Sequence, residues 1–282
     1  MTAAHTPSYD TLVAEAAAVP TDGWDFSWFE GRASEARPSW GYARSAGERL
    51  ARAGAALDIQ TGGGEVLDVA LGAAEPDRPA LTAATESWRP NAAKATALLR
   101  PRGVVVVEVP DGAPLPFADA AFDLVLSRHP VSPDWAEIAR VLRPGGTYFA
   151  QHVGPASAFE LVEHFLGPQP EETRTGRDPG RERAGAEAAG LEVVELRAER
   201  LRMEFHDIGA VVHFLRKVVW MVPGFTVERY EPRLRALHER ITAKGPFVAH
   251  STRHLFDARK PTPVNRPDPD RADRTAPSAA PR

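Results

Sequence analysis

Cysteine is absent from this chain of 282 residues. Disulfide bridges, thiolate metal sites and cysteine nucleophiles are therefore excluded. No apolar run reaches the roughly 18 residues of a membrane-spanning helix, and the opening MTAAHTPSYD has neither the basic nor the apolar region of a secretion signal. These absences predict a soluble, cytoplasmic protein without a membrane partner.

The chain also lacks an excess of positive charge. Its 34 lysines and arginines stand against 38 aspartates and glutamates, which gives a formal net charge of −4. Because non-specific binding to a phosphate backbone needs a positive field, a globally basic nucleic-acid-binding protein is disfavoured. Two arginine-rich stretches, TRTGRDPGRERAG and RAERLRMEF, leave a local patch open. Acidic residues are interspersed in both, so we interpret them as solvated surface.

Three segments differ in composition. Residues 1–42 are rich in aromatic side chains and have little periodic pattern, which predicts a lid over a pocket or, equally, a segment packed for stability alone. The aromatic residues are Trp24, Phe26, Trp28, Phe29 and Trp40. We predict the main domain at 43–260, with substrate-cap elements within 153–245. Residues 261–282 mix proline, small residues and both charges, which is typical of a disordered tail.

Apolar runs alternate with helical patterns through the centre of the chain. We predict strands at 56–59, 80–84, 104–109, 122–127 and 147–152. We predict helices at 43–53, 65–74, 91–99, 134–142 and 158–166. Continuous apolar strands separated by helices imply a parallel sheet that is covered on both faces. The predicted fold class is α/β: a doubly wound, mostly parallel, seven-stranded Rossmann-like sheet with an antiparallel last strand.

Beyond this the chain continues with GLEVVELRAERLRMEF, two predicted helices and a predicted last strand, PFVAHSTRHLFDARK. The first of these helices begins at Asp207, and the second spans 229–242. The first carries apolar residues at helical spacing: Ile208, Val211, Val212, Leu215, Val218, Val219 and Val222. Arg216 and Lys217 fall on its other side. We interpret the apolar face as buried in the core rather than as a partner-binding face.

The stretch ALDIQTGGGEVLD, residues 56–68, places three glycines between a strand and a helix. Such a turn lets the backbone approach a ligand closely, next to the partial positive charge of a helix N-terminus. The dinucleotide pattern G-x-G-x-x-G is incomplete because Leu67 occupies its third position. The P-loop pattern also fails, since no Gly-Lys-Ser/Thr follows. The turn therefore predicts a nucleotide-like ligand, but it matches neither the dinucleotide-binding pattern nor the P-loop pattern.

Two carboxylates narrow the choice of ligand. Asp58, at the end of the first strand, would repel a pyrophosphate but would hold an ammonium group, as on a cofactor that carries an amino acid. Glu86, at the tip of the next strand, is the usual partner of ribose hydroxyls in doubly wound nucleotide sites. Together they favour a nucleoside joined to an amino acid.

Two downstream motifs, LPFADAAFDLV at 115–125 and ARVLRPGG at 139–146, are more specific. With the glycine turn, they make residues 45–155 resemble the class I S-adenosylmethionine-dependent methyltransferases. The resemblance is to the large subgroup with D-x-x-x-LPF, FD-x-V and R-V-L-x-PGG, and it extends more loosely to about residue 260 by strand order. It implies S-adenosylmethionine as cofactor and methyl transfer as activity, and it gives the RPGG segment a structural role.

The resemblance also implies a role for each matching residue. Asp58 and the backbone of the glycine turn would hold the methionine part of the cofactor, and Glu86 would accept hydrogen bonds from both ribose hydroxyls. Trp88 could lie against the adenine, and Asp111 would read its amino group. The implied cofactor-binding residues are Asp58, Gln60, Thr61, Gly62, Gly63, Gly64, Glu86, Trp88, Asp111, Gly112, Ser127 and Arg128.

Gln60 is a departure from the family pattern, which usually has a glycine at this position. Two consequences are open. The side chain narrows the cofactor pocket, or it contacts the cofactor itself.

Methyl transfer from a sulfonium is an in-line displacement whose barrier falls chiefly through positioning. A general base helps when the acceptor is a hydroxyl or a protonated amine. His129 and His152 follow strand ends, where ligands of open α/β sheets lie, so they are the candidates for a general base or for substrate positioning. A structural hydrogen-bonding role for either one is also open. No histidine and carboxylate spacing predicts a metal site.

We therefore expect an S-adenosylmethionine-dependent methyltransferase that acts on a small-molecule acceptor. Two alternatives share the fold: an RNA methyltransferase, and a non-catalytic cofactor-binding partner subunit, which Gln60 favours. A nicotinamide-dependent dehydrogenase is disfavoured by the missing third glycine. The motifs carry no information on the acceptor atom or on the oligomeric state.

Overall fold

The computed structural model describes residues 7–21 and 26–263. Its helices are α1 (Tyr9–Ala18), α2 (Tyr42–Leu50), α3 (Glu65–Ala74), α4 (Arg89–Leu99), α5 (Trp135–Val141), α6 (Phe159–Leu166), α7 (Glu171–Arg174), α8 (Pro179–Ala188), α9 (Ile208–Lys217) and α10 (Val227–Lys244). Its strands are β1 (Ala33–Glu35), β2 (Ala55–Ile59), β3 (Leu81–Glu86), β4 (Val105–Glu108), β5 (Phe122–Arg128), β6 (Leu142–Val153), β7 (Glu192–Phe205) and β8 (Phe247–Arg259).

Side-chain caps determine where several helices begin. Asp134, Asp178, Asp207 and Thr226 each accept a hydrogen bond from a backbone N–H in the first turn of α5, α8, α9 and α10. These caps satisfy donors that a helix leaves unpaired at its N-terminus. No helix within the described residues is long and apolar enough to cross a membrane.

In the described part of the chain, eight strands form one sheet in the order β1-β7-β8-β6-β5-β2-β3-β4. β2, β3, β4, β5 and β6 are parallel, whereas β8 is antiparallel to both of its neighbours, β6 and β7. This confirms the predicted α/β class with an antiparallel last strand. The short β1, which the sequence pattern does not predict, adds an eighth strand beside β7. The carboxyl ends of the parallel strands meet along one edge of the sheet.

Buried apolar side chains form three groups, one on each face of the sheet and a third beside its far end. α2, α3 and α4 cover one face, and α5 and α8 cover the other. The third group, here called the cap cluster, joins α1, α6, α9 and α10 to the far halves of β7 and β8. It is built around Leu12, Phe165, Phe205, Val211, Leu215, Leu234 and Phe247.

The predicted elements agree best with the structure where the apolar pattern is long. The helix predicted at 65–74 coincides with α3, and every predicted strand overlaps an observed one. β6 begins at Leu142, before its predicted start at 147, because the PGG turn is itself paired: Gly145 N–H donates to the carbonyl of Lys260. A Cβ at Gly146 would lie 2.9 Å from the carbonyl oxygen of Arg143, so glycine is needed there.

The helix predicted from Asp207 is α9, and its apolar face is buried as expected. The helix ends at Lys217, however, and Val218 has a non-helical backbone, with φ −107° and ψ 63°. The helical spacing is therefore wrong beyond this point, and Val219 is 60% exposed. Lys217, expected on the outer side, is only 7% exposed.

The first arginine-rich stretch, residues 173–185, is exposed or half-buried throughout, as expected of a surface segment. Its second half nevertheless forms most of α8, which packs closely on α5, since a Cβ at Gly185 would lie 2.6 Å from Cδ1 of Trp135. Ala186 is fully buried between them. This packing carries one acidic side chain of α8, Glu182, to the sheet.

The N-terminal aromatic segment contributes to two hydrophobic groups. Phe29 belongs to the cap cluster, where its ring centroid lies 5.1 Å from that of His213. Trp40 is buried on the α2 face of the sheet. Trp24 and residues 264–282, most of the predicted tail, lie outside the described residues. The domain boundaries and the lid stay predictions.

Candidate functional site

A cleft of about 360 Å³ opens where β2, β3, β4 and β5 end. This volume is within the range of roughly 300–1,000 Å³ that is typical of small-molecule sites. Five of the predicted cofactor-binding residues line the cleft: Gln60, Glu86, Asp111, Gly112 and Ser127. The loop after β5, Trp135 of α5 and Tyr148 of β6 form the rest of its wall.

Asp58 lies buried at the end of β2, with 8% of its surface exposed. Burial raises the pKa of Asp58 to about 7; the Thr61 hydroxyl opposes this effect, and the charge of Glu86 adds to it. No cationic side chain of the described residues acts on this carboxyl. A buried acid without a counter-charge is the kind of group that an ammonium would stabilise.

Glu86 is held in place through both of its carboxylate oxygens. Oε2 accepts a hydrogen bond from Gly62 N–H at 2.8 Å, and Oε1 accepts one from Trp88 N–H at 2.9 Å. Each oxygen keeps a further lone pair, so two ligand hydroxyls can still donate to it. The Trp88 side chain is 48% exposed and does not line the cleft, so its contact with adenine stays a prediction.

The glycine turn uses most of its own amide groups. Thr61 N–H donates to the carbonyl of Thr85, and Gly64 N–H donates to the carbonyl of Thr61. Since Gly62 N–H is bound to Glu86, only Gly63 in this turn has an N–H without a partner among the described residues. Of the backbone contacts predicted between this turn and the cofactor, the turn can therefore supply only those from Gly63 N–H and from its carbonyl groups.

Gln60 adopts the left-handed backbone conformation, with φ +57°. This conformation is strained for a residue with a side chain, which explains the glycine that is usual here. The Gln60 side chain lines the cleft, and its Oε1 accepts a hydrogen bond from Val131 N–H at 2.7 Å. Gln60 therefore narrows the cleft and ties the glycine turn to the loop after β5.

The two residues that end β5 differ in environment. Ser127 is buried, and its hydroxyl donates to the carbonyl of Ile59 at 2.8 Å, which joins β5 to β2 beside the cleft. Arg128 is exposed and does not line the cleft.

His129 is held by Gln151. The indole Nε1 of Trp40 donates to Oε1 of Gln151 at 2.8 Å, which leaves the Gln151 amide nitrogen to donate to Nε2 of His129 at 2.9 Å. Burial and the charges of Arg128 and Arg253 keep the pKa of His129 well below its usual range. His129 is therefore neutral near pH 7, and its proton-free nitrogen is already occupied.

His152 is also occupied at both ring nitrogens. Its Nδ1 lies 2.5 Å from Oε2 of Glu182, and its Nε2 lies 2.9 Å from the hydroxyl of Tyr148. Because a carboxylate only accepts, Nδ1 donates to Glu182, and the Tyr148 hydroxyl donates to Nε2. His152 is 1% exposed and does not line the cleft. It can affect the cleft only through Tyr148, whose side chain it orients by the hydrogen bond.

Sequence reasoning missed four residues of this network: Gln151, Tyr148, Glu182 and His254. The strand period of two could have found Tyr148, since it lies four residues before His152 and therefore on the same face of β6. Glu182 and His254 come from distant parts of the chain, and no local pattern marks them.

Residues 57–150 match a family model described as a methyltransferase domain. No curated protein sequence matches the chain.

Among solved structures, the chain is similar to a candidate methyltransferase from Bacillus halodurans C-125. The match has 19% identity and a TM-score of 0.55, and it covers 78% of this chain and 99% of that one. The YcgJ protein from Bacillus subtilis matches with 14% identity and a TM-score of 0.50, over 78% and 99% of the two chains. At these identities the structural similarity shows the fold alone. Residues 57–150 are therefore similar to a methyltransferase domain, in a chain that has the α/β fold of solved class I methyltransferase-like structures, and this similarity implies S-adenosylmethionine as methyl donor.

Proposed function

We propose that the chain binds S-adenosylmethionine in the cleft and transfers its methyl group to a small-molecule acceptor. The observation that carries this proposal is a set of three carboxylates at the ends of three neighbouring parallel strands: Glu86 and Asp111 line the cleft, and Asp58 is buried behind its wall, where the charge of Glu86 acts on it. Asp58 suits an ammonium group, Glu86 suits two ribose hydroxyls, and Asp111 suits an adenine amino group.

The residues present fit this cofactor. The buried Asp58 has no counter-charge, and the fixed Glu86 carboxylate can still accept two hydroxyls. When bound, S-adenosylmethionine supplies a methyl group activated by the sulfonium charge, so the protein has mainly to hold and orient the two reactants. The hydrogen bond from Val131 N–H to Gln60 supports this task because it fixes one wall of the cleft.

The lining of the cleft favours a small organic acceptor. Its apolar contacts include Ile59, Val109, Leu115 and Ile138, and no lysine or arginine of the described residues lines it. An RNA acceptor would need cationic groups to neutralise its phosphates.

His129 and His152 then act by positioning rather than by taking a proton from the acceptor. The proton-free nitrogen of His129 accepts from Gln151, and that of His152 accepts from Tyr148. Of these groups, Tyr148 lines the cleft, so His152 orients a hydroxyl there.

Calorimetric titration with S-adenosylmethionine and S-adenosylhomocysteine tests the cofactor site. We expect one binding site per chain. Asp58→Asn and Glu86→Gln should each weaken cofactor binding by about tenfold or more, since a hydrogen bond to a charged group contributes about 1.5–3 kcal/mol. Glu108→Gln is the matched control, because Glu108 is paired with Glu86 in register but carries an exposed ion pair with Arg89. This variant should bind like the unmodified chain.

Three outcomes would contradict parts of the proposal. Equal affinity in all variants would refute the assigned site. Transfer of labelled methyl groups into ribosomal RNA would favour the RNA methyltransferase. Cofactor binding without turnover, together with a stable protein partner, would favour the non-catalytic subunit. If methyl transfer occurs, metabolites of a deletion strain that lack one methyl group would identify the acceptor.

A further inference from the structure

His152, Glu182 and His254 form a compact cluster of donor atoms at the end of the sheet. His152 on β6 and His254 on β8 are directly paired across the two antiparallel strands. Oε2 of Glu182, from α8, lies 2.5 Å from Nδ1 of His152 and 2.6 Å from Nε2 of His254. The histidines are 1% and 0% exposed, whereas the Glu182 side chain keeps 16% of its surface exposed.

We propose that this cluster binds a first-row divalent cation, with Zn²⁺ as the best match. Two imidazole nitrogens and one carboxylate oxygen are the ligand set of zinc sites that keep a fourth position open. One such atom from each residue lies within 4.8 Å of the others. The proposal is independent of the methyl donor, because none of the three residues lines the cleft.

The cation needs only a small opening of the cluster. Zinc bonds of about 2.0–2.2 Å in a tetrahedron place ligand atoms roughly 3.3 Å apart, somewhat farther than the present contacts. The two histidines are held at fixed positions by the strand pairing. Glu182 is the partly exposed member and comes from a helix, so its side chain is the one that can withdraw.

Binding also needs a change of tautomer but no loss of a proton. Nδ1 of His152 and Nε2 of His254 now donate to Glu182, so each ring must move its proton to its other nitrogen. In His152 the other nitrogen is Nε2, which lies 2.9 Å from the Tyr148 hydroxyl, and the hydroxyl oxygen can accept a hydrogen bond from it. Metal-bound histidines usually make such an outer hydrogen bond. Nδ1 of His254 is buried without a partner among the described residues, so the proton that moves there displaces no existing bond, and each ring exchanges its hydrogen bond to Glu182 for a bond to the cation.

The site would be connected to the cleft through Tyr148. The Tyr148 hydroxyl now donates to His152; with a cation bound, it would accept from His152 instead. Its own proton would then become available to another acceptor. Because Tyr148 lines the cleft, cation binding would change the hydrogen-bonding character of the cleft wall.

The test is a titration of the full chain, treated with a chelator and then dialysed, with Co²⁺ followed by absorbance and with Zn²⁺ followed by calorimetry. We expect one ion per chain and little competition from Mg²⁺, which prefers oxygen ligands. Glu182→Gln should weaken binding by more than the roughly 10–100-fold that the loss of an outer partner costs. Tyr148→Phe should fall within that range, because it removes only the outer hydrogen bond.

His250→Gln is the matched control. His250 also lies on β8 and forms a pair with a carboxylate, Glu160, at 2.8 Å, but no second histidine of the described residues joins that pair. Its loss should leave the affinity unchanged. Circular dichroism must show that Glu182→Gln is folded, and Zn²⁺ should raise the thermal midpoint of the unmodified chain but not that of this variant.

Absence of saturable binding would overturn the proposal, and so would equal binding by the unmodified chain and Glu182→Gln. The cluster would then be a hydrogen-bonded polar group only. Since these titrations contain no S-adenosylmethionine, their failure is distinguishable from a failure of the proposed function.

Discussion

The amide nitrogen of Gln151 donates to Nε2 of His129, 2.9 Å away, and Trp40 determines this direction. An indole N–H can only donate, so the 2.8 Å contact from Trp40 must end on the amide oxygen of Gln151. The other end of the amide is then a donor, and the ring nitrogen facing it must accept. His129 accordingly carries its proton on Nδ1.

This relationship predicts both the tautomer and the titration of His129. We expect a neutral ring with the proton on Nδ1 near pH 7, and a pKa below 6.5, because burial and the neighbouring Arg128 and Arg253 disfavour the charged form. Nitrogen-15 NMR of labelled histidine, with His129→Gln for assignment, measures both properties. A proton on Nε2, or a pKa above 6.5, would be inconsistent with the observed hydrogen bonds.

Cofactor affinity should depend on the ionisation of Asp58. With a pKa of about 7, Asp58 is largely protonated below pH 7 in the unliganded chain, whereas an ammonium group binds the ionised form. Binding below pH 7 must therefore release a proton, so the affinity should rise by up to about tenfold per pH unit and level off above pH 7. Calorimetry in two buffers of different ionisation enthalpy counts the protons released.

The same carboxyl should influence stability without any ligand. Its pKa in the folded chain is above the value of about 4 for an unfolded chain, so the folded state binds the extra proton between these pH values. The free energy of unfolding should therefore fall as pH rises from about 4 to about 7, by up to about 4 kcal/mol. The difference between the unmodified chain and Asp58→Asn, measured by urea unfolding, isolates this effect. A difference that does not change with pH would contradict it.

Two substitutions at Gln60 separate its backbone strain from its hydrogen bond. Gln60→Ala and Gln60→Gly both remove the bond from Val131 N–H, which should cost about 1 kcal/mol. Only alanine keeps the left-handed strain at φ +57°, so the glycine variant should be more stable than the alanine variant by about 1 kcal/mol. Urea unfolding of the two variants gives this difference directly. An alanine variant as stable as the glycine variant would argue against the left-handed conformation.

The central fold could be predicted from the sequence because its periodic signals are local. The apolar run ending at Asp58 and the helix at 65–74 fall at the observed positions of β2 and α3. By contrast, β1 is only three residues long and is held by its partner strand, so its own sequence carries little signal.

The candidate site was only partly predictable, for a different reason. Glu86 and Asp111 follow strands, where ligands of this fold lie, and both line the cleft. The partners of the two histidines depend on tertiary packing instead. Glu182 reaches His152 only because Gly185 lets α8 approach Trp135, and a charged, glycine-containing stretch of this kind resembles surface in the sequence.

The pairing of β7 with β8 has a consequence for the dynamics of the cap cluster. These strands are paired from Glu192 to Phe205, and the same ladder that extends the sheet also carries the cap cluster. Swinging the cap away from the sheet would break many backbone hydrogen bonds at once, so we expect its amides to exchange with solvent only in global unfolding. No residue of the cap cluster lines the cleft, so the rigidity of the cap leaves the cleft wall to other contacts, such as the hydrogen bond from Val131 N–H that ties the loop after β5 to Gln60.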